Sequence, residues 1–453
     1  MTGRPVRPGP SAEQRADLLL LGGTVLTMDA AATVIPQGAV AVRDGRILEV
    51  GRRSVLQRRY AARRVLDAEG RLVLPGLVNA HTHVAMTLFR GVRDDEDLMT
   101  WLTKYMFPLE ARFVSPDFVR TGALLGCWEM IASGTTTFAD GFFFEEEVAK
   151  AADESGLRAL PGQGIFDVPV PDAPDAETGL RRAEKYLSDW AGHPRVTPAL
   201  APHAAYTVGP ETFRRTGDLA RRFGAPVFTH LSESDGELAM VRERFGTTPV
   251  RHLAAIGALE GRLMAAHCVR VDAEEIGLLA VARVGVAHCP ESNMKLASGI
   301  APVAAMLAAG IPVGLGTDGP ASNNDLDLFG EMDTAAKLQK VAQLDPTAAP
   351  AREVFRMATS GGAAALHMGG EIGSLERGKH ADLIVVGTSG PSATPLYDPY
   401  SYLVYSAPSD AVETVIVEGK ILMENRRLTT LDTEAIRRRA ERFGRQIASA
   451  LPA

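Results

Sequence analysis

His81-Thr82-His83 is the segment of this sequence best suited to chemistry. In an extended chain, residues i and i+2 face the same way, so the two imidazoles converge on one point and can share an ion. LPGLVNA, just ahead of them, reads as a buried strand that fixes both rings. Two core histidines that alternate by chance are the ordinary alternative, and placement at a strand end weighs against it. His230 and Asp318 can complete the ligand set. Three imidazoles and a carboxylate suit zinc, with iron as a rival, and leave a position for water. Water bound to such an ion ionises near neutral pH and becomes a nucleophile.

Glu233 follows His230 by three residues, in THLSES, and can carry a proton between that water and a leaving group. SESDGE also reads as a helix start. Beside a metal histidine the catalytic reading is the stronger. His267 ends LMAAH and His288 ends VGVAH. Either can orient the nucleophile or polarise the substrate, or serve only as a hydrogen-bonded support. His267 is the better catalytic candidate, and His288 stays open. Asp318, in GLGTDGPASNN, can bind metal and accept a proton, against an ordinary Asp-Gly turn. Cys268 and Cys289 follow histidines, but neighbours on a strand face opposite ways. They read as packing thiols.

These residues need a frame. Between positions 75 and 374, eight short apolar runs alternate with amphipathic stretches: GLVNAH, TTTFAD, LRALPGQG, VTPALAPH, PVFTH, LMAAH, VGVAHCP and PVGLGTD. Eight β/α units predict a closed (β/α)8 TIM-type barrel, an α/β fold. The runs end in His81 and His83, Asp140, Gln163, His203, His230, His267, His288 and Asp318, and six of the ten histidines are among them. Barrel enzymes build their sites at these C-terminal strand ends. Residues 17–74 and 375–453 share another texture, short alternating strands broken by Gly-containing turns such as Arg43-Asp44-Gly45-Arg46. They predict one small β-sandwich domain built from both termini, with a helix at the C-terminal end. Residues 1–16 read as a disordered tail.

A length of 453 residues suits a barrel plus a smaller domain. A net charge of −7 without a clustered basic surface argues against a nucleic-acid partner. Apolar runs fall short of a membrane span. Cys127, Cys268 and Cys289, sparse and odd in number, predict a reducing, cytoplasmic setting. GFFFEEE, with Phe142 to Phe144, reads as an exposed loop and points to a homo-oligomer, dimer or tetramer.

The segments PGLVNAHTHVAMTLFRG, WLTKYMFPLE, ASGTTTFAD, APHAAYTV, THLSES, AAHCV, HCPESNMKLASGIAPV, GTDGPASNNDLDLF and GSLERGKHADLIVV cover nearly the whole chain. In them the chain resembles the amidohydrolase superfamily, in its cytosine-deaminase-like branch, and there the 5′-methylthioadenosine/S-adenosylhomocysteine deaminases. The resemblance implies that His81, His83, His230 and Asp318 hold one divalent metal. It implies that Glu233 moves the proton and contacts the purine ring, and that His267 holds the attacking water. It also implies that Glu110 binds ribose hydroxyls with His203 nearby, and that Trp101 lines the pocket. Taken alone, Glu110 would pass for a helix-surface acid. Where members of this family meet an amino-acid tail with arginines, this sequence aligns Gln163 and Gly179. Neither pairs with a carboxylate, although Arg181 or Arg182 could substitute.

The expected reaction is hydrolytic deamination of a purine-type small molecule, an adenosine-like nucleoside, with S-adenosylhomocysteine disfavoured. The rivals are hydrolysis of another amino- or chloro-heterocycle (triazine, pterin, guanine or cyclic amide) and an inactive scaffold on the same fold. A nucleic-acid-editing deaminase would need a Cys-X-X-Cys zinc signature that is missing here.

Overall fold

The computed structural model describes residues 14–451. The tail expected over 1–16 lies outside the described residues up to position 13. Arg15 and Ala16 correct its end, because they open the first strand, Arg15–Leu21, which pairs with Gly38–Arg43 and Ala61–Asp67. Ala16 is buried and begins the inward alternation.

Eight parallel strands form the barrel: Leu77–Thr82, Thr135–Phe142, Arg158–Ile165, Ala199–Pro202, Val227–Leu231, Leu263–His267, Gly285–His288 and Val313–Leu315. Each corresponds to one of the apolar runs. They are buried almost throughout, as strands covered on both faces must be. The ring closes where the eighth strand meets the first. Thr82 and Asp318 bridge in parallel, and the Asp318 amide donates to the His81 carbonyl at 3.0 Å. Gly316 permits this approach, since a Cβ there would stand 2.9 Å from the His81 amide nitrogen.

Small residues fill the barrel interior: Val78, Ala80, Ala139, Ala199, Ala201 and Ala287, with Leu160, Phe228 and Met264. Ala363, Leu366 and Ile372 pack against them.

The chain ends build two further sheets. The first has four strands, ordered Arg46–Arg52, Gly38–Arg43, Arg15–Leu21 and Ala61–Asp67. Asp44 and Gly45 both adopt positive φ in the expected two-residue hairpin turn. The second has seven strands and mixes the two termini: Leu383–Gly387 runs antiparallel to Arg71–Pro75. Leu18, Leu20, Val40 and Ile47 of one sheet pack against Val73, Leu383, Val385 and Ile416 of the other. A buried ion pair, Arg158 Nε to Asp382 Oδ2 at 2.8 Å, ties the third barrel strand to this region. The last helix, Thr433–Ala448, lies on the helix Pro116–Ala132, with Phe118 and Phe443 edge to face at 5.5 Å. Among the described residues, no helix is long and apolar enough to cross a membrane.

Candidate active site

The C-terminal ends of the barrel strands surround one cavity. Its lining includes His81, His83, Trp101, Glu110, His203, His230, Glu233, His267 and Asp318. Of the side chains singled out above as catalytic, ligating or substrate-binding, all but His288 line this space. Eight-strand closure brings His81 and Asp318 together although some 240 positions separate them. His267 and Asp318 hold positive φ, at 73° and 58°, as does Ser232 at 51°. Such backbone is costly for non-glycine residues and concentrates where strand ends are bent to aim side chains.

Four groups set the centre. Asp318 Oδ1 lies 3.3 Å from His81 Nε2 and 3.2 Å from His83 Nε2. His83 Nε2 is 3.2 Å from His230 Nε2. Ligand atoms about 2.0–2.1 Å from a tetrahedral ion stand ~3.3 Å apart, so these gaps match the edges of a zinc-sized tetrahedron. The free ring nitrogens are pre-set for this. His83 Nδ1 donates to the Gly141 carbonyl at 2.6 Å, and His230 Nδ1 donates to the His203 carbonyl at 3.0 Å. Each bond leaves an Nε2 lone pair toward the centre. His81 Nε2 is buried with no hydrogen-bond partner. The His267 ring joins the same group, with ligand atoms of His81, His230, His267 and Asp318 all within 4.8 Å of one another.

The electrostatics agree. Burial pushes the His81 pKa down to about 4, favouring the neutral ligand form. Burial also lowers that of His83, but the Asp318 carboxylate outweighs it and brings the value up to about 9. Asp318 itself is driven upward by burial, yet its contacts with His81 and His83 hold it well below the usual carboxylate range. The carboxylate therefore demands positive charge at this point. Ser292 and Ser322 each donate to its Oδ2 at 2.7 Å and fix its plane.

Glu233 is buried, and its Oε2 stands 3.8 Å from His267 Nε2. Burial raises its pKa above the ordinary carboxylate range. Both oxygens of Glu237 hold this loop, accepting from the amides of Ser232 at 3.1 Å and Glu233 at 2.7 Å. The helix-start reading of SESDGE is also realised, because Ser234 caps Asp235–Phe245. Both readings hold for different residues of one motif.

Trp101 and Glu110 come from a helical excursion between the first and second barrel strands. Its π-helical turn, Trp101–Met106, runs into Phe107–Phe113. Glu110 is buried, not on the surface, and burial raises its pKa to about 7. Opposite it, His203 accepts or donates at Nδ1 with Thr207 Oγ1, 2.8 Å away, and stacks on Phe166 at 4.8 Å. His288 is buried outside the cavity lining, with neither ring nitrogen partnered.

One expectation is corrected. Phe142 and Phe143 are 6% and 4% exposed, so GFFFEEE is not an exposed apolar loop. Both rings line the cavity, because the second strand runs through Phe142 and carries them inward. Gly179 sits on the helix Ala176–Asp189 near Ala173. Gln163 turns to Asp172, donating to its Oδ2 at 2.8 Å. Arg182 is already engaged with Glu146 at 2.9 Å and Asp172 at 3.6 Å. The three cysteines are unpaired and buried.

Sequence reasoning passed over Ser292, Ser322, Asn293 and Glu237. The first three lie in segments already quoted, HCPESNM and GTDGPAS, but serine and asparagine there carry the ordinary signature of caps and turns.

A barrel with imidazoles and a carboxylate gathered at its C-terminal mouth is the architecture of a metal-type hydrolase. The chain belongs to the amidohydrolase family, whose model matches residues 72–422. A shorter match to a bacterial imidazolonepropionase-like composite domain covers residues 38–62. A 5-methylthioadenosine/S-adenosylhomocysteine deaminase of Syntrophobacter fumaroxidans is 50% identical, over 96% of this chain and 99% of that one. An adenosine deaminase structure from Xanthomonas campestris, with bound zinc, is 39% identical with a TM-score of 0.94, covering 96% and 99%. The zinc complex of atrazine chlorohydrolase from Arthrobacter aurescens is 27% identical with a TM-score of 0.85, covering 94% and 100%.

Proposed function

We propose that this protein is a zinc-dependent deaminase of adenosine-like nucleosides. The observation that carries the reading is the set of 3.2–3.3 Å gaps joining His81, His83, His230 and Asp318, with Glu233 beside them. His81, His83, His230 and Asp318 would hold the ion. When bound, it supplies a water that ionises near neutral pH. Asp318 accepts the proton of that water as it adds to the ring carbon bearing the amino group. Glu233 hands a proton to the neighbouring ring nitrogen, and His267 holds the attacking oxygen in line. Asp318 would then pass its proton to the amino group, which leaves as ammonia, while the added hydroxyl returns a proton to Glu233 and the carbon becomes a carbonyl.

The deaminase names of the relatives support this chemistry. Glu110 and His203 would receive ribose hydroxyls, and Trp101 would pack on the ligand, since all three line the cavity. Beyond Glu110, a second cavity is lined by Phe107, Phe143, Phe166, Val168, Val170 and Thr207. With Arg182 already paired and Gln163 turned to Asp172, that chamber favours small or apolar 5′ groups over a charged amino-acid tail. Three unpaired buried thiols support a reducing compartment such as the cytoplasm.

The test is a panel of ammonia-release assays on adenosine, 5′-deoxyadenosine, methylthioadenosine, S-adenosylhomocysteine, guanine and cytosine, with zinc content measured in parallel. Activity on the tail-free nucleosides is expected, with S-adenosylhomocysteine weaker. Turnover of guanine or cytosine with none of the adenosine analogues would overturn the reading, as would a purified protein without bound metal.

A further inference from the structure

The His81-Thr82-His83 segment is gripped from behind by the end of the second barrel strand. The Thr82 hydroxyl lies 2.9 Å from the Ala139 carbonyl and 2.5 Å from Asp140 Oδ1. The Val84 amide donates to the same Asp140 oxygen at 2.6 Å. The residues on both sides of His83 are thus fastened to one carboxylate oxygen, while the ring itself is held by Gly141.

The other oxygen of Asp140 is buried without a protein donor of its own. Next to it lies Glu145, the first residue of the helix Glu145–Ser155, fully buried, with both oxygens equally unpartnered. Burial drives the pKa of each acid upward, and for Glu145 the neighbouring Asp140 adds to the effect. Two adjoining buried carboxyls without a cation cannot both carry charge. Asp140 Oδ1 already accepts from Thr82 and Val84, so the shared proton belongs on the Glu145 side, directed at Oδ2.

We propose that Asp140 and Glu145 are a positioning pair for His83: neutral Glu145 donates to Asp140, and Asp140 fixes the backbone on either side of the imidazole. Neither acid lines the cavity, so the pair acts only through His83. This inference rests on the proposed metal site, in which His83 is a ligand. Supports of this kind typically change metal affinity by about 10–100-fold.

The test is zinc retention by the purified holoenzyme against a competing chelator, with circular dichroism as the check on folding. Glu145→Leu is expected to hold zinc at least tenfold more weakly than wild type. Glu145→Gln, which can still donate to Asp140, is expected to stay within about threefold. Thr82→Val leaves both acids in place and removes one grip. It should weaken zinc binding in the same direction, and it carries the test if leucine at position 145 prevents folding. The pair is overturned if Glu145→Leu and Thr82→Val both retain zinc as wild type does, or if Glu145→Gln falls as far as Glu145→Leu. A wild-type protein that binds no zinc would instead overturn the proposed function.

Discussion

His267 donates from Nδ1 to the side-chain oxygen of Asn293, 2.9 Å away, and this bond turns its Nε2 toward Glu233. Asn293 belongs to the short helix Pro290–Lys295 after the seventh strand, so a residue just outside the cavity lining decides which nitrogen of a cavity imidazole is free.

Asn293→Leu keeps the side-chain volume and removes the acceptor. We expect kcat to fall about 10–100-fold while zinc stoichiometry holds. Steady-state kinetics with metal analysis on the same samples separates lost orientation from lost metal. An unchanged kcat would remove His267 from the reaction.

Glu233→Gln abolishes the proton carrier and leaves the shape of the loop, which Glu237 holds through the backbone. A drop in kcat of roughly 10²–10⁴ is expected, with zinc content unchanged. A loss below tenfold would show that another group moves the proton.

Glu110 yields a pH prediction for the metal-stripped protein. Its folded pKa of about 7 lies above the ordinary glutamate value of 4.5, so between these values the folded chain binds the extra proton and the unfolded chain does not. Stability should therefore decline as pH rises from about 4.5 through about 7 and level off above. Glu110→Gln should remove that part of the decline. Urea unfolding of both proteins across the range measures the difference, and parallel curves would refute it.

Asp382→Ala strips the partner from Arg158, where both side chains are 3% exposed. Leaving one buried charge uncompensated costs about 3–5 kcal/mol. The variant should unfold at markedly lower temperature, and a calorimetric shift of under a degree would contradict the role of this tie.

The barrel was readable because parallel strands covered on both faces are plain apolar runs, and because LVNAHTH, VFTH, LMAAH and VGLGTD each stop on a polar residue at the chemically useful end. Trp101 and Glu110 carried no such signal. They lie on an irregular helical excursion, and only resemblance pointed to them. Phe142 and Phe143 misled because three phenylalanines beside three glutamates look like a loop, while the second strand runs on through Phe142. Ser292 and Ser322 hold the Asp318 carboxylate, and such work leaves no mark in spacing.

The seam of the ring gives the site a second duty. His81 sits on the first strand and Asp318 just past the eighth, facing each other across a joint held by the single bridge between Thr82 and Asp318. A cation gripped by both would rivet that joint, so filling the site and keeping the cylinder shut become a single event. Amides along Leu77–Thr82 and Val313–Leu315 should then exchange with solvent faster once the cation is withdrawn, while those of the opposite wall keep their protection.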